Sequence, residues 1–211
     1  MLALPVFTPE PQVHKVNFPT CPKILTFASM EKILVIGAGL CGTLLAIRLA
    51  QRGYKVELRE KRPDMRKTSM SAGRSINLAL SNRGLKALRL IGMEEQVQEA
   101  CIPMPGRLIH PIQGDLLFAP YSGRQGEFIN SVSRGGLNCQ LLDEAEKHPN
   151  ITIHFNSGCT AVDLKEARAT FRDEQTGTLS TEEAAVVFGT DGSGSALRQA
   201  MLGHIVLKQA T

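Results

Sequence analysis

Three glycines, Gly37, Gly39 and Gly42, form the pattern with the clearest chemical meaning in this sequence. They follow an apolar run at residues 32–36 and lead into a helix-like run at residues 43–51, which predicts a strand, a tight turn and the start of a helix. Glycine permits the turn, lets the backbone approach a pyrophosphate and lets the helix pack close to the strand. Because the unpaired N–H groups and the positive end of the helix dipole face the same point, the turn predicts a pyrophosphate-binding site for a dinucleotide.

Glu60 is the second residue that indicates a nucleotide. A C-capping Gly53 and a strand predicted at residues 55–59 place it about 20 residues beyond the glycine pattern, where dinucleotide-binding units bind ribose hydroxyls. A carboxylate there accepts a hydrogen bond from a free 2′-OH and repels a 2′-phosphate, which favours FAD or NAD over NADP as the ligand of this turn. The alternative is a solvated glutamate at the end of a strand.

Composition narrows the class of protein. The 211 residues suffice for one domain, or one domain and part of another, and 43% hydrophobic with 21% charged residues is typical of a globular protein. The net charge of +4 is spread along the chain, so we expect no nucleic-acid partner. No apolar run approaches the ~20 residues that span a bilayer. The scattered cysteines predict no metal site and fit a reducing compartment, the cytoplasm; they are Cys21, Cys41, Cys101, Cys139 and Cys159.

The chain divides into three parts. Residues 1–29 are interrupted by five prolines and are predicted to be a disordered extension, because no periodic apolar pattern survives there. Residues 30–201 are predicted to form one domain, with a change to short strand-like pieces at about residues 101–131. Residues 202–211 are predicted to be a truncated tail.

Within the domain, the patterns predict further elements. Ser81 and Ser133 are N-cap candidates, the second one for a strongly amphipathic helix. Short strands are predicted at 107–110, 116–119, 128–131, 151–155 and 160–164, followed by a hairpin at 169–181 and a buried strand at 184–189. Asp191 and Gly192 follow that last strand, at the sheet edge where ligands of open α/β sheets bind.

Several motifs together resemble a known family. They are the glycine turn, Glu60, GRSINLALS at 73–81, SVSRGGLN at 131–138 and GTDG at 189–192. With them, residues 30–201 resemble the class A flavoprotein aromatic hydroxylases, and most closely those that hydroxylate L-kynurenine. The resemblance implies an α/β fold, a Rossmann-like FAD-binding fold of the glutathione-reductase type with inserted β pieces. It also implies that NADPH reduces the FAD, and that a flavin hydroperoxide formed with O₂ converts L-kynurenine to 3-hydroxykynurenine.

The resemblance assigns residues to roles position by position. It implies that Arg107 and Tyr121 bind the carboxylate of the substrate, through a guanidinium fork and a hydroxyl. It assigns no catalytic side chain and no metal, because the flavin carries the chemistry. The residues that it assigns to FAD are Gly37, Gly39, Leu40, Cys41, Gly42, Arg59, Glu60, Lys61, Arg62, Ala79, Arg134, Cys159, Asp191 and Gly192.

The resemblance covers only the amino-terminal portion of such enzymes, and it implies that residues 30–201 are an FAD-binding domain that includes the first part of the substrate-binding region, at about 101–131. We therefore expect a fold truncated before the full substrate domain, with weak or no FAD retention and no hydroxylation by this chain alone. Two alternatives stay open from the sequence: a class A hydroxylase of another aromatic acid, and a non-catalytic nucleotide-binding module. The sequence leaves the oligomeric state undefined.

Overall fold

The computed structural model describes residues 31–67, 76–124 and 126–209. The predicted extension at residues 1–29 lies outside these ranges. The strands are β1 (Lys32–Ile36), β2 (Lys55–Arg59), β3 (Asn77–Leu80), β4 (Ile102–Met104), β5 (Gly106–Ile109), β6 (Leu117–Pro120), β7 (Ile129–Ser133), β8 (Ile151–His154), β9 (Ser157–Asp163), β10 (Arg168–Asp173), β11 (Leu179–Glu183) and β12 (Val186–Gly189). The helices are α1 (Leu40–Gln51), α2 (Asn82–Leu90), α3 (Glu94–Glu99), α4 (Arg134–Glu146) and α5 (Ala196–Gln209).

A four-stranded parallel sheet carries the glycine turn. Its order is β12-β1-β2-β8, so β1 has a neighbour on each side. The unit β1-α1-β2 is the predicted strand, turn and helix, and α1 starts directly after Gly39. Because all four strands run the same way, their carboxyl ends meet at one edge, where the turn lies.

Alternate side chains of β1 pack on opposite faces of this sheet, as expected for a strand covered on both sides. Ile33 and Val35 belong to the larger apolar cluster, to which side chains of α1 and α4 also contribute. Leu34 and Ile36 belong to a smaller cluster with Phe171 of β10. The antiparallel sheet β11-β10-β9 therefore covers the face opposite the helices, and it contains the predicted hairpin at 169–181.

Two small antiparallel sheets lie between α1 and α4 in the chain. One has the order β3-β7-β4, and the other pairs β5 only with β6 among the described residues. Strand β4 was not predicted, because Pro103 and its short length hide it in the sequence. Leu108, Leu117 and Phe118 of the β5–β6 hairpin are more than half exposed.

The structure corrects one expectation about packing and changes another. The strand predicted to be buried at 184–189 is β12, which lies at the edge of the parallel sheet with Val186 43% exposed. Phe188 packs against the larger apolar cluster and Val187 against the smaller one, so both faces of β12 are covered in part and its edge position explains the exposure. Helix α5 runs from Ala196 to Gln209, so it crosses the predicted start of a tail at residue 202.

Candidate functional site

The glycine turn lies against the chain segment that follows β12. Gly37 has φ +100°, a conformation that favours glycine. A Cβ atom built on it would lie 2.8–2.9 Å from backbone atoms of Thr190 and Asp191. A Cβ atom on Gly42 would lie 1.9 Å from the carbonyl oxygen of Gly37, so Gly42 has the packing role that was predicted for it. Thr190 closes the contact by donating its hydroxyl hydrogen to the carbonyl oxygen of Gly37 at 2.8 Å.

A cavity of about 480 Å³ opens at this point. Three glycines on its wall, Gly39, Gly192 and Gly194, have no atom within 4 Å of the position that a Cβ would take. Backbone is therefore exposed to the cavity from two chain segments, with room for a ligand beside it. The lining residues are Ile36, Gly37, Gly39, Arg59, Glu60, Lys61, Arg62, Arg134, Ser157, Cys159, Thr190, Asp191, Gly192, Ser193 and Gly194.

The cavity suits an anion at the end nearest to α1. No side chain caps the start of α1, and its first turn has no acidic residue. The first N–H groups of α1 are therefore not capped by a side chain and stay available to a ligand. Arg134 adds an exposed guanidinium at the start of α4, where Ser133 accepts a hydrogen bond from the backbone N–H of Gly136 as predicted. These groups are the donors that a pyrophosphate requires.

Glu60 is buried on the wall of the cavity, and its carboxylate already accepts hydrogen bonds from the protein. Oε2 accepts from the backbone N–H of Ala38 at 2.8 Å, and Oε1 accepts from the Nε of Arg62 at 2.7 Å and its backbone N–H at 3.1 Å. Burial alone raises the pKa of Glu60, but these hydrogen bonds outweigh it and hold the pKa below its ordinary value. Oε1 already accepts two hydrogen bonds, whereas Oε2 accepts one, so the free lone pair of Oε2 is the one that the predicted bond to a ribose hydroxyl would use.

Comparison with known protein families places this geometry in context. The family described as FAD binding domain matches residues 30–206, which include every residue of the cavity wall. The chain belongs to this family of FAD-binding domains. The residues present fit that cofactor, because the open glycine backbone, the uncapped helix start and Arg134 offer hydrogen-bond donors suited to a pyrophosphate.

The relatives of this FAD-binding domain have a common name. It is 49% identical over 174 residues to the kynurenine 3-monooxygenase of Myxococcus xanthus, covering 82% of this chain and 38% of the relative. It is 41% identical over 169 residues to the enzyme of that name from Legionella pneumophila, covering 80% of this chain and 37% of the relative. The chain thus spans less than two fifths of these relatives.

Solved structures support the same fold. A mutant of 2-methyl-3-hydroxypyridine-5-carboxylic acid oxygenase matches with a TM-score of 0.66 and 25% identity, covering 82% of this chain and 42% of that chain. The α/β FAD-binding fold expected from the sequence is confirmed.

Arg59 lines the cavity of the FAD-binding domain, but its guanidinium is mostly committed to carboxylates. Its NH2 atom lies 3.2 Å from Glu57 and 2.8 Å from Glu182 on β11, and its NH1 atom lies 3.4 Å from the hydroxyl of Ser157. The guanidinium carbon is 5.0 Å from the centre of the Phe171 ring. Arg59 therefore joins β2 to the antiparallel sheet behind the cavity, a role that its sequence position did not indicate.

Cys159 and Asp191 lie on the wall of the same cavity. Oδ2 of Asp191 accepts a hydrogen bond from the backbone N–H of Ala196 at 3.0 Å, whereas the buried Oδ1 has no partner among the described residues. Burial and the negative charge of Asp191 raise the pKa of the Cys159 thiol to about 11. Cys159 is therefore a neutral thiol at physiological pH.

The loop after β2 is held on both sides. Its backbone pairs with the β8–β9 corner, where the N–H of Ser157 donates to the carbonyl of Glu60 at 2.8 Å. On the other side Arg66 binds Asp64, Asp143 and Glu146, with N–O distances of 2.7–2.9 Å. These contacts fasten the loop that contains Lys61 and Arg62 to α4.

Six of the predicted residues do not line the cavity. Ala79, on β3, is exposed and pairs with Ser131. Arg107 lies on β5 opposite Ala119 of β6, and Tyr121 directly follows the last residue of β6. The backbone N–H of Tyr121 donates to the carbonyl of Pro105, which continues that register. The remaining three are Leu40, Cys41 and Gly42, all in the first turn of α1.

Asn138 is a residue of the site that the sequence reasoning did not select. It is 6% exposed on α4, and its Nδ2 donates to the carbonyl oxygen of Ala38 at 3.2 Å. Since Glu60 accepts from the N–H of Ala38, both backbone groups of that turn residue are bound by side chains. The available signal was an amide within the apolar face of the predicted helix.

Neither a metal-binding cluster nor a membrane-spanning helix occurs among the described residues. No group of three or more His, Cys, Asp or Glu in the described part of the chain is arranged to hold a metal ion. Within residues 31–67, 76–124 and 126–209, no helix combines the length and apolar character needed to cross a membrane. In the same ranges Cys41, Cys101, Cys139 and Cys159 are free thiols.

Proposed function

We propose that this chain is the FAD-binding part of an NADPH-dependent monooxygenase that hydroxylates L-kynurenine to 3-hydroxykynurenine with O₂. The observation that carries the proposal is the family match over residues 30–206, together with relatives named kynurenine 3-monooxygenase at 49% and 41% identity. The bound flavin supplies the redox and oxygen chemistry, and the chain supplies its position. We also propose a cytoplasmic location, which the free thiols of the described part support.

The adenosine and pyrophosphate of the cofactor are assigned to the 480 Å³ cavity. Gly37, Gly39 and the start of α1 hold the pyrophosphate, and Arg134 pairs with its charge. Glu60 accepts a hydrogen bond from the ribose. The walls around these groups are supplied by Arg59, Lys61, Arg62, Cys159, Asp191 and Gly192, while Leu40, Cys41, Gly42 and Ala79 stay assigned to the cofactor by resemblance.

The carboxylate of the substrate is assigned to Arg107 and Tyr121. The backbone bond from Tyr121 to Pro105 holds Tyr121 beside the start of β5, the strand that contains Arg107, so we assign a guanidinium fork and a phenolic hydroxyl to one carboxylate. This pair orients the ring of the substrate relative to the flavin. It needs no protonation change and no nucleophile from the chain.

Binding of the cofactor is tested by titrating the full chain into FAD and measuring quenching of flavin fluorescence, with ADP as a competitor. We expect weak but saturable binding that ADP displaces, because the adenosine and pyrophosphate are assigned to the cavity, whereas the chain spans less than two fifths of its relatives. NADPH is expected to compete poorly, since Glu60 opposes a 2′-phosphate. Absence of FAD and ADP binding to folded chain overturns the assignment of the cavity.

The reaction is tested with a chimera in which residues 30–203 replace the matching part of the Myxococcus xanthus relative. We expect kynurenine-dependent NADPH oxidation and formation of 3-hydroxykynurenine. An Arg107→Gln chimera is the control, and its KM for kynurenine should rise about 100-fold from the lost charged hydrogen bonds. FAD binding with stimulation by a benzoate in place of kynurenine supports another hydroxylase, and nucleotide binding without NADPH oxidation supports a non-catalytic module.

A further inference from the structure

We infer that Asn138 is a positioning residue for the pyrophosphate, because it ties α4 to the centre of the glycine turn. Its Nδ2 donates to the carbonyl oxygen of Ala38 at 3.2 Å, inside the protein. Ala38 is 1% exposed and lies between Gly37 and Gly39, so its peptide groups set the direction of the backbone that faces the cavity. The inference rests on the proposed assignment of the cofactor to that cavity.

Asn138 holds one side of Ala38 and Glu60 holds the other. The N–H of Ala38 donates to Oε2 of Glu60 at 2.8 Å, so the peptide is fixed from β2 and from α4. Loss of either bond allows the Ala38 peptide groups to change orientation by rotation about φ and ψ of the neighbouring glycines, because glycine restricts these angles little. The two side chains therefore preorganise the N–H groups that meet the phosphate.

Asn138 also links the turn to Arg134. The two residues are four positions apart on α4 and so lie on the same side of the helix. Arg134 lines the same cavity as Gly37 and Gly39. A shift of α4 relative to the turn changes the distance between the guanidinium and the helix start of α1, and the Asn138 bond limits that shift.

The side-chain oxygen of Asn138 indicates that this residue does more than fill space in the core. Its Oδ1 is buried and has no hydrogen-bond partner among the described residues. The reverse orientation of the amide would place this oxygen against the carbonyl of Ala38, so the bond to Ala38 fixes the orientation. A buried oxygen without a hydrogen bond lowers the stability of the fold, and an apolar side chain of similar size would avoid this cost. The asparagine is therefore better explained by its hydrogen bond to the turn than by packing.

Asn150 provides a matched control. Its Nδ2 donates to the carbonyls of Ala50 and Tyr54 at 2.9 and 2.7 Å, so it is also an asparagine that binds backbone oxygens. It lies before β8, at the amino end of the parallel sheet and away from the cavity. Asn150→Ala therefore removes the same kind of bond without touching the turn.

The test compares binding of ADP, FAD and adenosine to the full chain, with Asn138→Ala, Asn138→Leu and Asn150→Ala. We expect both Asn138 variants to bind ADP and FAD about tenfold more weakly and to bind adenosine, which has no phosphate, within about twofold of the wild type. Asn150→Ala is expected to lower Tm and leave all three affinities unchanged. The leucine variant fills the space, so a cavity cannot explain its effect.

Three results separate the outcomes. If the wild type binds neither ADP nor FAD, the proposed function fails. If it binds both, and the Asn138 variants keep the wild-type ratio of ADP to adenosine affinity, only the present inference fails. If neither Asn138 variant folds, hydrogen exchange of the Asn138 side-chain amide in the wild type decides: slower exchange with ADP but not with adenosine supports the inference, and no difference between the ligands overturns it.

Discussion

Glu182 accepts a hydrogen bond of 2.8 Å from Arg59, although the two residues come from different sheets. The side chain of Arg59 is 9% exposed, and Lys32 also donates to Glu182 at 2.7 Å. The antiparallel sheet β9–β11 is therefore joined to the strand that ends at the cavity by charged groups as well as by the apolar contacts of Phe171.

Glu182→Gln is expected to lower the free energy of unfolding by about 1–3 kcal/mol, because it weakens the pairing of a buried guanidinium. Chemical denaturation of the full chain at neutral pH measures the change. Glu183→Gln is the control, since Glu183 binds Arg168 at the surface and its loss should cost less than about 0.5 kcal/mol. Equal effects of the two substitutions would contradict a special role for the buried contact.

Glu60→Gln is expected to weaken FAD binding about tenfold and to flatten the acid side of the stability profile. The pKa of Glu60 is lower in the folded chain than its ordinary value of 4.5, so its contribution is complete above that value and is lost as the pH falls through the folded pKa. The wild type should therefore lose more stability than the variant as the pH falls below 4.5. Parallel profiles for the two proteins would count against the contacts to Ala38 and Arg62.

Alkylation of Cys159 is expected to be slow at about pH 8, roughly 100-fold slower than that of an unperturbed thiol, because its pKa is about 11. Asp191→Asn removes a negative charge that raises this pKa, so the rate should increase several-fold. Mass spectrometry of the Cys159 peptide during iodoacetamide treatment measures both. Asp115→Asn, on the β5–β6 connection, serves as the control and should leave the rate unchanged; a faster rate there would disprove the local effect.

Arg66→Ala is expected to lower the free energy of unfolding by about 1–3 kcal/mol and to expose the loop at 61–67 to trypsin. The guanidinium is 16% exposed and binds carboxylates on the loop and on α4, and these hydrogen bonds raise its pKa. Arg66→Lys keeps the charge but not the fork geometry, so it should restore less than half of the loss. Arg172→Ala, at an exposed pair with Glu174, is the control with little expected effect on either readout.

The parts of the fold that depend on neighbours in sequence were predicted well. The unit from Lys32 to Arg59 follows from its apolar periodicity and from Gly37, Gly39 and Gly42, because strand, turn and helix each leave a local pattern. The N-cap at Ser133 was likewise predicted, and its side chain accepts a hydrogen bond from Gly136. The glycine turn and Glu60 were assigned to a nucleotide from their pattern and spacing, whereas Ala79, Arg134 and Cys159 were assigned by resemblance, and the chemistry of all of them stays a proposal.

The parts that depend on distant partners could not be predicted. The edge position of β12 depends on which strands pair with β1, and no local pattern records that choice. Arg59 is bound by carboxylates of Glu57 on β2 and Glu182 on β11. Because Glu182 is distant in sequence, the sequence alone shows Arg59 only as a charged residue at the end of a strand. Asn138 was visible as a polar residue on an apolar face, but its partner, Ala38, lies 100 positions away.

The contact between Thr190 and Gly37 has a consequence for how the protein is made. The two residues are 153 positions apart, and the hydroxyl of one closes the turn built by the other. During synthesis the glycine turn leaves the ribosome long before its wall exists, and a contact of such separation forms late in folding. FAD cannot assist the early steps of folding, and chains stalled before β12 should gain no protease resistance from added FAD.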